Sequence, residues 1–134
     1  MDELKYSCDH PNDFQEFYTL YEELGWNKLS LSKDDLEKMC RQSWTVVYVY
    51  DKDKLIATGR IISDGVITGL ICGVGVHPQY QSKGIGKAIV EILTTKCKEK
   101  GIIAQLMCSD SLEQYYEKFD FKRFSIGMSK NTRC

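Results

Sequence analysis

The chain has 134 residues, enough for one domain whose core needs neither disulfides nor a metal. Its 18 basic and 19 acidic residues leave a net charge of −1, so there is no overall basic field to hold a polyanion and nucleic acid is not an expected partner. The opening "MDELKYSCDH" lacks the basic start and apolar run of a signal peptide, and no later stretch approaches membrane-spanning length, which predicts a cytosolic protein with no membrane partner. In that compartment Cys8, Cys40, Cys72, Cys97, Cys108 and Cys134 are expected as reduced thiols. None forms a CxxC pair and His10 and His77 stand far apart, so no metal site is expected.

In chain order, residues 4–8 read as a short strand. In "HPNDFQEFYTLYEELGW" the residues Phe14, Phe17, Tyr18, Tyr21 and Leu24 recur at helical spacing. Pro11 suits a first turn and Gly25 a stop, which predicts a helix over 11–24. "SLSKDDLEKMCRQ" predicts a shorter helix over 33–42, capped by Ser32 with acids in its first turn. The β-branched and aromatic runs "WTVVYVYD", "KLIATGRIIS" and "VITGLICGVGV", separated by "DKDK" and "SDG", predict an antiparallel meander over 44–51, 54–63 and 66–76. Ile85, Ala88, Ile89, Ile92, Leu93 and Cys97 form the apolar stripe of a helix over 85–100, ended by Gly101. A strand over 102–108, a short helix over 110–119 and a final strand over 121–129 complete the reading. With no repeat or linker, residues 1–134 are expected as a single α/β domain. Its mixed central sheet is antiparallel first, parallel at the β-α-β crossover, and flanked by helices.

The segment "VHPQYQSKGIGKAIVEIL" places Gly84 and Gly86 at the start of that long helix. A helix start offers unpaired N–H groups and the positive end of a dipole, and glycines let an anion approach them. The sequence fits neither common nucleotide loop. A P-loop needs GxxxxGK and then Ser or Thr, but Ala88 follows Lys87 and no glycine stands at 81. A dinucleotide loop needs a third glycine where Ile89 stands. Two readings remain from the residues alone, a phosphate cradle or a plain strand-to-helix turn.

Val76, Pro78, Gln81, Gly84 and Gly86 together spell V-x-P-x-x-Q-x-x-G-x-G, which resembles the acetyl-CoA-binding motif of the GNAT superfamily of N-acetyltransferases. The resemblance implies acetyl-CoA as cosubstrate, with Val74, Gly75 and Val76 meeting the pantetheine and acetyl group. Gln81, Ser82, Lys83, Gly84, Ile85 and Gly86 would hold the diphosphate, with Lys87 nearby. It also implies a splay between the fourth and fifth strands that admits the cofactor. "SLEQYYEKFDFKRF" resembles the family's second segment and makes Tyr116 the tyrosine beside the coenzyme sulfur. Ser109 stands where the family often has asparagine, at a coenzyme contact; Asp120 stands at the usual glycine and Leu112 at the usual alanine.

Acetyl transfer needs a neutral amine, a polarised thioester carbonyl and a proton for the departing thiolate. A backbone N–H near Val76 would polarise the carbonyl and Tyr116 would serve as general acid. The strand over 66–76 carries no acid, so the base is expected to be a water chain or a helix residue such as Glu22 or Glu23, and His77 reads as a loop residue. With no positive neighbour evident to activate Cys72 or Cys108, direct transfer through a tetrahedral intermediate is favoured over an acyl-cysteine. Tyr18, Tyr21, Trp26 and Trp44 are candidate walls for an acceptor site. The expected acceptor is the primary amine of a small molecule, with a histone-type or N-terminal peptide acceptor left open, and the expected assembly is a monomer or homodimer. A non-catalytic acyl-CoA-binding sensor of the same fold and an unrelated phosphate-ligand sensor are the competing readings.

Overall fold

The computed structural model describes residues 3–133. Cys134, one of the six expected thiols, lies outside them. Strands β1 (Lys5–Ser7), β2 (Thr45–Asp51), β3 (Lys54–Ser63), β4 (Thr68–Val76) and β5 (Ile103–Leu106) form one sheet in that spatial order. The first four are antiparallel in sequence, and β4 pairs with β5 in parallel across the crossover helix α3 (Ile85–Glu99). Helices α1 (Gln15–Glu23) and α2 (Lys33–Gln42) cover one face of the sheet and α3 the other.

Alternation along the strands divides the core in two. Val46, Tyr48 and Leu55 turn towards α1 and α2, where they meet Phe14, Phe17, Leu20, Tyr21, Leu36 and Cys40. Val47, Val49, Ile56, Ile61 and Ile71 turn towards α3 and its stripe of Ile85, Ile89, Leu93 and Cys97. Truncating one of these fully buried side chains to alanine removes about 2–5 kcal/mol. The Ser32 cap forms a capping box: its hydroxyl accepts from Asp35 N–H at 3.1 Å while the Asp35 carboxylate accepts from Ser32 N–H at 2.9 Å.

Helix α1 starts at Gln15, four residues after the expected start at Pro11. The Asp13 carboxylate accepts from Gln15 N–H at 3.0 Å, an Asx turn that holds the preceding backbone out of the helix. His10 anchors the same stretch through a 2.7 Å hydrogen bond to the Tyr48 hydroxyl. The expected strand over 66–76 begins at Thr68, and the one over 102–108 reduces to Ile103–Leu106. The helix expected over 110–119 is a single 3-10 turn, Asp110–Leu112, followed by α4 (Glu113–Glu117).

No strand forms over 121–129. Phe124, Ile126 and Met128 have the alternation of a strand but are exposed. The chain leaves α4 through Asp120 in the left-handed region, φ 68°, and Arg123 then binds the Glu113 carboxylate on α4. A strand needs a partner edge as well as a pattern, and β5 offers only four residues.

Candidate acetyl-transfer site

The β4–β5 pairing ends at Ile71 and Leu106, yet β4 runs on to Val76. The edge of Cys72–Val76 is therefore open towards the gap, which is the expected splay. A β-bulge sits on this edge: between the pairs Arg60–Cys72 and Thr58–Gly75, β4 advances three residues against two on β3. Gly73 carries the bulge at φ +62°.

Beyond Val76 the chain makes a 3-10 turn, Pro78–Tyr80, and the Gln81 side-chain amide donates back to the Val76 carbonyl at 3.0 Å. Gln81 thus shapes the loop by holding the strand end. Ser82, Lys83 and Gly84 are exposed, and Gly84 is the left-handed N-cap of α3 at φ +81° with nothing within 4 Å of where a Cβ would stand. No side chain caps this helix, so the N–H groups of Ile85, Gly86 and Lys87 have no partner inside it. The Ile85 side chain is buried in the core and fixes the loop from beneath. The Tyr115 hydroxyl approaches to 3.9 Å of a Cβ built on Gly86, so a phenol stands at the rim of the cradle. Lys87 is exposed beside it.

On the β5 side of the gap, Cys108 and Ser109 follow the strand. Ser109 is exposed and its hydroxyl lies 3.0 Å from that of Ser111. Tyr116 on α4 is half-buried and packs edge-on against Tyr115 and Phe121. Burial pushes its phenol above the ordinary tyrosine value, with smaller contributions in the same direction from Tyr115 and Cys108. The group therefore stays protonated through neutral pH.

The opposite face of the splay belongs to α1. Gly25, at φ +71°, closes α1 with a Schellman motif in which Trp26 N–H donates to Tyr21 C=O and Gly25 N–H to Glu22 C=O, both at 3.0 Å. That motif sets Trp26 edge-on to Tyr21 at 5.3 Å. The indole then covers β4 so closely that a Cβ on Gly75 would lie 2.3 Å from it. Of the four expected aromatic walls, Tyr21 and Trp26 meet here. Trp44 packs on the α3 side beside Gly65, and Tyr18 is partly buried against the core under α1 and α2.

Two features escaped the sequence reading. Arg60 faces Cys72 across β3 and β4 and is the positive neighbour that local sequence does not disclose. Burial nonetheless wins, and the Cys72 thiol is held above its ordinary value with Arg60 only moderating the rise, so no thiolate is prepared there. An arginine inside "LIATGRII" was the signal for it. His77, read as a loop residue, is 6% exposed and reaches Glu23 of α1. Its Nδ1 accepts from Gln79 N–H at 3.1 Å, so Nε2 holds the proton and donates it to the Glu23 carboxylate. This pair locks α1 to the end of β4 and engages the Glu23 carboxylate.

Among the described residues no group of His, Cys, Asp and Glu is placed to hold a metal ion, and no helix is long and apolar enough to cross a membrane.

Comparison with known proteins agrees with this geometry. An uncharacterized N-acetyltransferase ycf52-like protein of Prochlorococcus marinus is 29% identical over 102 residues, covering 73% of this chain and 56% of that protein. The chloroplastic GCN5-related N-acetyltransferase 2 of Arabidopsis thaliana is 26% identical over 149 residues, covering 96% and 57%. The chain thus spans a little over half the length of these two relatives. A Staphylococcus aureus protein described as a probable acetyltransferase superposes with TM-score 0.81 at 26% identity, covering 96% of this chain and 99% of that one. The sequence profile of the acetyltransferase (GNAT) family matches residues 10–121, which include the open strand edge, the uncapped helix and Tyr116. The chain belongs to that family.

Proposed function

We propose that this chain is an acetyl-CoA-dependent N-acetyltransferase acting by direct transfer on a primary amine of a small molecule. The carrying observation is that β4 parts from β5 immediately before the uncapped start of α3, which leaves an open strand edge leading into an anion cradle. The residues fit acetyl-CoA. The N–H groups of Ile85, Gly86 and Lys87 suit the diphosphate, and the open backbone of Val74, Gly75 and Val76 suits the amide-bearing pantetheine arm. Ser82, Lys83 and Gly84 are exposed around that cradle, and Ser109 stands across the gap.

The cosubstrate supplies an activated acetyl thioester. A backbone N–H of the Cys72–Val76 edge donates to the developing oxyanion. The amine nitrogen bonds to the acetyl carbon, the carbon–sulfur bond breaks, and the leaving sulfur takes the Tyr116 proton, which solvent restores. With β4 free of acids and Glu23 held by His77, the amine proton leaves through water. We extend the reading to a reducing compartment, the cytosol, in keeping with free thiols at Cys8, Cys40, Cys72, Cys97 and Cys108. The Arabidopsis relative carries a chloroplast address in its name.

The second reading, a non-catalytic acyl-CoA sensor, is favoured only by the missing carboxylate on β4. Calorimetric titration with acetyl-CoA followed by a thiol-release assay on a panel of amines separates the two: an enzyme binds and releases coenzyme A in an amine-dependent way, and a sensor only binds. Tyr116→Phe should lower kcat by about 10²-fold with acetyl-CoA affinity unchanged. Because the phenol is held above its ordinary value, an alkaline fall in wild-type kcat due to Tyr116 belongs above pH ~10. A Tyr116→Phe variant with full activity at every pH would remove the residue from the mechanism.

A further inference from the structure

In the run from Leu55 to Ile62, Arg60 is the one charged residue. Burying part of a cation is unfavourable unless a partner compensates, and arginine in such a place normally meets a carboxylate. Here it does not. Among the described residues Arg60 has no ion pair; Nη1 donates to the Tyr21 hydroxyl at 3.3 Å, and Nε is buried with no partner at all. A guanidinium has several donors in a planar fork, so most of its capacity is unused.

Its position is as specific as its lack of partners. Arg60 pairs with Cys72, the first β4 residue past the last β5 pair, so its backbone lies where the two strands part. The guanidinium reaches the α1 face and rests against the bulge: a Cβ on Gly73 would stand 2.5 Å from Nη1 and 3.4 Å from the Tyr21 hydroxyl. The acetyl-CoA cradle is on the opposite face, at the start of α3. An acetyl group passing between β4 and β5 would therefore emerge beside Arg60, with Tyr21 and Trp26 as an apolar wall.

Resting on the acetyl-transfer reading above, we propose that Arg60 receives a carboxylate of the acceptor, so that the amine acetylated here belongs to an amino acid with an apolar side chain. The fork binds the carboxylate, Tyr21 and Trp26 take the apolar part, and the amino group is presented to the gap. A single guanidinium matches the single charge of a carboxylate.

Matched acceptors test this. Phenylalanine and 2-phenylethylamine differ only by the carboxylate. The wild type should favour phenylalanine in kcat/KM by at least about tenfold, and Arg60→Gln should lower the phenylalanine value about 10–100-fold while leaving phenylethylamine within about threefold and acetyl-CoA affinity unchanged. Arg60→Lys, which keeps the charge without the fork, should recover part of the preference. A readout without turnover comes from coenzyme A joined through an S-acetyl linker to each amine: the phenylalanine conjugate should bind the wild type about tenfold tighter, and both should bind Arg60→Gln equally. Arg60→Met should melt no lower than the wild type, because no partner of the guanidinium is lost apart from Tyr21.

Equal wild-type affinity for the two conjugates, a preference that survives Arg60→Gln, or a stronger preference for phosphoethanolamine would overturn the proposal. Turnover of neutral amines alone would sink it and spare the acetyltransferase reading. Discrimination between conjugates with no coenzyme A release from any amine would overturn the acetyl-transfer reading, and with it the assignment to an acetylated acceptor, and leave Arg60 as a carboxylate site only.

Discussion

The two faces of the sheet carry their chemistry in different material. On the α3 face the groups proposed to hold the cosubstrate are backbone: the open edge of β4, the left-handed Gly84 and the uncapped N–H groups that follow it within a few residues. On the α1 face they are side chains, and they come from three separate stretches, Tyr21 and Trp26 at the end of α1, Arg60 in the middle of β3 and the Cys72–Gly75 bulge of β4. The same strand serves both, offering its hydrogen-bonding edge to one and its pleated surface to the other. Backbone chemistry leaves a mark on contiguous sequence because glycine spacing and a helix start are local. Side-chain chemistry assembled by register leaves only isolated residues, each of which has an ordinary explanation when seen alone.

The largest effect that tests this division is expected at Gly84. A valine there would have to adopt φ +81°, a β-branched residue in the left-handed region, at about 1–2 kcal/mol. The space around its Cβ is open, so the fold should persist with Tm lowered by roughly 3–8 °C. The side chain would, however, stand where an anion must approach the helix N–H groups. Gly84→Val should weaken acetyl-CoA binding by about 10²-fold in calorimetry. Unchanged affinity would mean that the loop only turns a corner and that the backbone half of the comparison is wrong.

Gly73→Ala probes the other half with a smaller expected effect. Its φ of +62° strains any side chain, and the added Cβ would press on the Arg60 guanidinium at 2.5 Å. That neighbour is the tip of a long side chain and can swing away, so the loss of stability should stay near 1–2 kcal/mol. The displaced guanidinium should lower acceptor kcat/KM about tenfold while acetyl-CoA affinity changes by less than about threefold. A variant that loses cosubstrate binding first would show that Gly73 belongs to the α3 face instead.

This contrast also explains what the sequence disclosed. The α/β class, the meander, the crossover and the glycine start of α3 all rest on short-range patterns: alternation, a helical stripe, a cap, a glycine pair. The splay was legible because the family resemblance supplied it. Arg60, His77 and Glu23 were not legible as a set because strand register and the docking of α1, which no local pattern encodes, bring them to their partners. The strand expected over 121–129 failed for a related reason. Its alternation is real, but a ladder needs a second edge, and β5 ends at Leu106.

The smallest effect, and the one that isolates local backbone chemistry from everything else, is expected at Asp120. Helices α3 and α4 end in the same way. After α3, Ile102 N–H donates to Cys97 C=O at 2.9 Å and Gly101 N–H to Lys98 C=O at 3.2 Å; after α4, Phe121 N–H donates to Tyr116 C=O at 3.3 Å and Asp120 N–H to Glu117 C=O at 3.1 Å. Both are Schellman motifs, with φ +68° at Gly101 and φ 68° at Asp120. Only the residue differs, and aspartate tolerates this region less well than glycine. Asp120→Gly should relieve that strain, partly offset by the greater freedom glycine gives the unfolded chain, for a net stabilisation of a few tenths to about 1 kcal/mol in chemical denaturation. The motif's apolar contact is Phe121 on Tyr116, ring centroids 6.0 Å apart, so the same cap sets the tyrosine assigned as general acid. If Asp120 is only a strained cap, stability should rise with kcat unchanged. A fall in kcat would instead show that residue 120 acts on the site, either through the aspartate side chain or by placing Tyr116 through the shared cap.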